Sequence, residues 1–173
     1  ADEAKFVAGS YLWVNGIKKT IHIHFEKKPS VKNFDDKIIV MLSQRIEAKC
    51  IEQAYLSMQI KKQLATWLRE QAHHYITTKL PLLVAHTGLS PVSFKVRLYK
   101  ARWGSCNNKR ELSFNYLLMM APLWVVDYVI IHELCHLKHL NHSQKFWQLV
   151  HQYCPDHKDA QLWLKSHQSQ LIW

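Results

Sequence analysis

A chain of 173 residues, 48% hydrophobic and 21% charged, is long enough to bury a core unaided, and that composition excludes a disordered protein. Its four cysteines (Cys50, Cys106, Cys135, Cys154) lie far apart with no Cys-x-x-Cys pair, which excludes a disulfide scaffold and a cysteine-type metal site. A formal charge of +10 favours acidic partners such as nucleic acid or nucleotides. No apolar run approaches the roughly 18 residues of a membrane span, no secretory leader is evident, and free thiols suit a reducing compartment; the cytoplasm is the expected location.

The first forty residues read as β structure. In YLWVNGIKKTIHIHF the pair Asn15-Gly16 separates two apolar-rich runs, the signature of a type I′ hairpin. Beyond it Ile21, Ile23 and Phe25 alternate with His22 and His24, and KIIVML (37–42) reads as another short strand. From about Ser43 the composition turns helical, with Leu56, Ile60, Leu64, Trp67, Leu68 and Tyr75 at helical spacing. Pro81 is expected to kink or break that run and Gly88 to end it. VSFKVRLYK (92–100) alternates again, Phe94, Val96 and Leu98 against Lys95, Arg97 and Tyr99. ARWGSCNNKRELSFNY reads as a turn feeding a strand at 111–116. Pro122 opens a helix with Val125, Val126, Val129, Ile130 and Leu134 on its apolar side; a short helix over 144–153 and a last one over 156–168 follow breaks at 141–143 and Pro155. With no internal repeat or linker, one α+β domain over 1–173 is expected. Its parts are β-rich over 1–42, helical over 43–88, and a core over 92–173 that carries a histidine-rich stretch.

That stretch is HELCHLKHLNH, residues 132–142. His132 and His136 stand about 400° apart on a helix, so both rings leave one face and can grip a single ion. Glu133 is displaced from that face, set to reach a water on the ion rather than the ion itself. This is the physical content of His-Glu-x-x-His. A catalytic ion needs a third protein ligand and one open position. No glutamate follows Glu133, so His142 is the better third donor. For its ring to turn back the helix must stop first, and Asn141 is expected to end it in the left-handed conformation, with Ser143 capping the next helix. His139 then points elsewhere. The rival reading, a solvated histidine face, conflicts with Val129, Ile130, Ile131 and Leu134, which imply a buried helix where an unpaired Glu133 is costly.

RWGSC (102–106) and DYVIIHELCHLKHLNHSQKFW (127–147), with the proline after them, resemble the YgjP-like zinc metallopeptidase family, small bacterial proteins similar also to the SprT-like and WLM zincins. The likeness is dense over 100–173; upstream only the order of strands, long helix and strand agrees. It implies a zincin-like α+β fold: N-terminal hairpin and small sheet, long helix, then an active-site helix followed by short helices. It also implies one zinc ion per chain, held by His132, His136 and His142, with Glu133 as general base. Cys135 stands where a small residue is common. A metallopeptidase acting on protein or peptide is therefore the leading expectation. The SprT-like and WLM relatives suggest proteolysis of nucleic-acid-bound proteins, which the basic charge accommodates. The alternatives are a zinc-dependent hydrolase of nucleotide phosphoanhydrides and a nucleic-acid-associated protein with a structural zinc.

Around this centre Arg102 is suited to an oxyanion, carboxylate or phosphate, while Trp103 and Gly104 read as a core plug and a tight turn. Lys95 and Arg97 either guard an edge strand or line a substrate groove. Tyr116 and Tyr128 are candidate electrophilic partners. The substrate-binding set expected beside Glu133 is thus Arg102, Tyr116, Lys95 and Arg97. Asp127, His151, Asp156 and Asp159 are candidates to orient the imidazoles. Cys106 is a weaker rival as ligand, His22 and His24 read as a polar strand face, and Phe146, Trp147, Trp163 and Leu164 as core.

Overall fold

The computed structural model describes residues 6–173. Strands β1 (Tyr11–Val14) and β2 (Ile17–Glu26) form the expected hairpin, registered Val14 opposite Ile17. Asn15 (φ 49°) and Gly16 (φ 82°) both have the positive φ a type I′ turn requires. β3 (Ser30–Asn33) and β4 (Lys37–Ser43) complete a sheet of order β1-β2-β4-β3, with β2 and β4 parallel. The sequence carries no local signal for the parallel pairing or for β3, which has little apolar alternation of its own. Ile38, Val40 and Leu42 of the central strand and Ile21 of β2 point into the core. Lys19, buried under this sheet, is satisfied by the Asn33 side chain and the Phe34 carbonyl, each 2.7 Å away.

A 3₁₀ segment, Gln44–Ile51, leads into α1 (Gln53–Thr87), 35 residues whose buried stripe is Ile60, Leu64, Leu68, Ala72, Ile76, Leu80 and Leu83. Gly88 ends it in the left-handed region, φ 71°. Pro81 does not break the helix as expected. It and Thr77, whose carbonyl loses its helical donor, both lie on the exposed face, where solvent can satisfy the freed carbonyl while the stripe continues beneath.

The second sheet holds β5 (Ser93–Arg97), β6 (Gly104–Cys106) and β7 (Glu111–Asn115) in the order β5-β7-β6, β5 parallel and β6 antiparallel to β7. β6 replaces part of the expected turn, and Tyr116 belongs not to the strand but to a 3₁₀ segment, Tyr116–Met120. Next come α2 (Leu123–His136), α3 (Gln144–Tyr153) and α4 (His157–Leu171). From Val125 onward α2 is largely buried, and Asp127 on it accepts a short hydrogen bond from the Tyr75 hydroxyl and pairs with Lys79 at 3.4 Å, tying it to α1. No described helix is long and apolar enough to cross a membrane.

The hairpin tip is pinned to the site-bearing half. The amides of Asn15 and Gly16 donate to the carbonyls of Met119 and Met120, 2.9 Å each, just ahead of α2. A Cβ on Gly16 would lie 2.5 Å from Pro122 Cγ, whereas one on Gly9 (φ 84°) would meet nothing within 4 Å. Gly9→Ala should therefore cost about 1 kcal/mol from left-handed strain alone, and Gly16→Ala about 2–4 kcal/mol because the clash is added. Urea unfolding measures both. Equal losses would mean that the hairpin tip is free to move off Pro122.

Candidate metal centre

α2 carries His132 and His136 one turn apart and ends at His136. The amides of Leu137, Lys138 and His139 still turn back to Leu134 and Cys135. The chain then crosses an exposed loop to Ser143, whose hydroxyl caps α3 by accepting from the Phe146 amide, 3.3 Å. Asn141 is not left-handed: the only described non-glycine residues with positive φ are Asn15 and Arg110. The reversal is instead spread over 137–142, begun by that turn. It still delivers His142 to the other two histidines.

The three Nε2 atoms form a near-equilateral triangle: 3.2 Å from His132 to His136, 3.0 Å from His136 to His142, and 3.3 Å from His142 to His132. Nitrogens about 2.0–2.1 Å from a tetrahedral ion stand about 3.3–3.4 Å apart, so the triangle is nearly that of a metal-bound set. The tautomer of His136 agrees. The His139 carbonyl can only accept, so His136 Nδ1 donates to it at 3.0 Å and Nε2 keeps the lone pair. His132 Nδ1 meets the Tyr128 hydroxyl, which can accept or donate, at 3.1 Å, and its Nε2 is the nitrogen that faces the centre. Burial, then the charges of His136 and His142, lower the His132 pKa to about 3, and burial is the main cause that lowers His136, which keeps both rings in the ligating neutral form. Lone pairs this close repel unless a cation lies among them. These residues fit a metal ion, and no fourth His, Cys, Asp or Glu of the described residues joins them.

The triangle opens on a pocket of about 550 Å³ lined by α2, β6 and α4, with Arg102 at its edge and Tyr128, Val129, Gln161 and Leu164 on its walls. Glu133 lines the same pocket at 5% exposure, and burial raises its pKa to about 8 against the opposing pull of Arg102. Gly104 of β6 passes so close that a Cβ there would lie 2.9 Å from Glu133 Oε2. Gly104 is thus a close-approach residue rather than a turn.

Of the residues singled out from sequence, His132, Glu133, His136, His142 and Arg102 come together. Tyr116 does not: it is buried, with the Arg69 guanidinium 5.3 Å over its ring. Lys95 and Arg97 are exposed on β5, which β7 separates from the pocket-lining strand β6. Cys106 lines the pocket without joining the nitrogens. The groups that orient imidazoles are Tyr128 and the His139 carbonyl, not the acids considered: Asp127 is engaged with α1, and Asp156 accepts from the Cys154 thiol, 3.3 Å. Tyr128 lies four residues before His132, a spacing that could have signalled its role. Phe146 and Trp147 are more than core, since both rings pack on imidazoles of the three-histidine cluster.

No curated protein and no solved structure shows a significant match to the chain. A protein family does: the YgjP-like metallopeptidase domain is matched over residues 1–167, nearly the whole length and not only the half that carries the motif. That match, and a three-histidine cluster that suits a metallopeptidase, place the conclusion beyond the motif alone: the chain belongs to the YgjP-like metallopeptidase family.

Proposed function

We propose that this protein is a zinc-dependent peptidase in which His132, His136 and His142 hold the ion and Glu133 is the general base. The observation that carries this reading is the convergence of three Nε2 atoms at 3.0–3.3 Å on the pocket that Glu133 also lines. Three nitrogen donors with a side left open suit zinc in a catalytic rather than a structural role. Bound there, zinc supplies Lewis acidity to a carbonyl and to the attacking water. Glu133 takes a proton from that water and delivers it to the leaving nitrogen. Tyr128 and the His139 carbonyl keep two ligand rings from turning. Arg102, exposed and lining the pocket, is the cation that would meet negative charge developing on the substrate or a substrate carboxylate.

Two features favour a peptide over a nucleotide. β6 is the terminal strand of its sheet, and all three of its residues line the pocket, so an extended peptide can add to its free edge. Arg102 is the single Lys or Arg among the described lining residues, poor complement for a polyphosphate. The test is to incubate the zinc-loaded protein with an unfolded casein-like substrate and a nucleotide panel. Fragments of the protein substrate, suppressed by a chelator and restored by zinc, are expected while the nucleotides persist. Consumed nucleotides beside intact casein would transfer the assignment to phosphoanhydride hydrolysis.

A further inference from the structure

The three ligand rings are not held alike. His132 and His136 each engage a hydrogen-bond partner through Nδ1. The bonds found for His142 among the described residues involve Nε2 alone, and this ring sits exposed on the loop between α2 and α3. What it touches is aromatic. Phe146 meets it edge-on at 5.1 Å and 69°, and Trp147 lies nearly parallel at 5.8 Å and 26°. Trp147 is in turn stacked on a second imidazole, His157 at the start of α4, at 5.7 Å and 24°.

His157 is itself unusual. It is 6% exposed, and its buried Nδ1 has no hydrogen-bond partner among the described residues. Leaving a buried ring nitrogen unpaired is costly, so packing must offset the loss. The ring contacts it makes are the Trp147 indole and the edge of His151 at 5.5 Å. His157 therefore serves here as a flat surface rather than as a polar group.

We propose that Trp147 is the positioning residue of the third ligand: seated on buried His157, its indole sets the plane of the His142 imidazole so that Nε2 faces the other two ligand nitrogens. The proposal rests on the reading of His132, His136 and His142 as metal ligands. Phe146 stacks likewise on His136, at 4.4 Å and 20°, but that ring also has its hydrogen bond. Among the described residues no partner is found for His142 Nδ1, so protein support for this ring comes from stacking, and it reaches the ring from α4 through α3. Without the indole a loop-borne ligand must be ordered anew each time an ion binds, which weakens binding without touching a ligand.

The test is zinc affinity of the full chain, by competition with a chelating dye, together with the visible spectrum of the cobalt(II)-substituted protein. Trp147→Leu is expected to weaken zinc by about 10–100-fold and to alter the cobalt spectrum. Trp147→Phe, which keeps a ring in place, should stay within a few-fold of the unmodified chain. Trp163→Leu removes an indole stacked at 4.0 Å on His167 instead, and should leave zinc affinity unchanged whatever it does to the melting temperature of the metal-free protein. If Trp147→Leu does not fold, His157→Ala takes its place: it should weaken zinc in the same sense, and His157→Phe should restore it. Unchanged affinity in the variant that folds, equal loss in Trp163→Leu, or failure of either phenylalanine rescue would overturn the proposal. An unmodified chain that binds no zinc would overturn the ligand reading itself, a failure distinct from a zinc-binding chain indifferent to Trp147.

Discussion

Glu133→Gln is expected to abolish measurable hydrolysis, a loss of at least about 10³-fold, while zinc stoichiometry stays at that of the unmodified protein. The amide matches the carboxylate in shape and still fills the space beside Gly104, but it cannot take a proton from water. Stability should not fall. Glu133 is 5% exposed, and burial is what raises its pKa to about 8, so the protein bears a desolvation cost whenever this carboxyl is ionised. A neutral amide removes that cost. Cleavage rate, metal content and melting temperature on one preparation decide the matter. Residual activity near that of the unmodified protein would take the base role from Glu133, and loss of zinc would make it part of the ion's support instead.

Much of this centre was legible because its information is local. The 3.6-residue period alone puts the His132 and His136 rings on one face, and the serine after His142 announces a new helix that the Ser143 cap provides. The hairpin at Asn15-Gly16 was equally plain, since few other pairs accept positive φ at both positions. What escaped the sequence was set by distant partners. β6 is three residues, Gly-Ser-Cys, with no apolar alternation; it is a strand because β7 lies beside it, and the same pairing puts β5, with Lys95 and Arg97, on the far edge. Asn141 is a natural helix terminator, yet the chain reverses without a left-handed residue because the turn that follows His136 begins the change of direction earlier. Trp147 reads as core because an aromatic at helical spacing is the same whether it packs on leucine or on an imidazole of the cluster.

Gly104→Ala should disable the same base from the opposite wall of the pocket. Gly104 does not have positive φ, so its backbone would accept a side chain. The obstacle is Glu133: an added Cβ would lie 2.9 Å from Oε2, 3.0 Å from Cγ and 3.2 Å from Cδ. β6 has little room to withdraw. Gly104 is registered against fully buried Phe114 on β7, the Asn115 amide donates to the Trp103 carbonyl at 2.9 Å, and the Asn115 side chain donates to the Arg102 carbonyl at 3.1 Å. The carboxylate is therefore the part that moves, by several tenths of an ångström, within a buried helix that cannot follow. Such a displacement of the proposed general base is expected to lower turnover by about 10²-fold, with an overpacking cost of about 1–3 kcal/mol of stability. Zinc content should be unchanged, because the three imidazoles leave α2 and its following loop on other faces. In a Glu133→Gln background the added methyl should change the residual rate little, since the group it displaces is already inert. Full turnover in Gly104→Ala would mean that Glu133 is free to work from another position; a further large loss in the double variant would mean that β6 acts on the substrate by a route independent of Glu133.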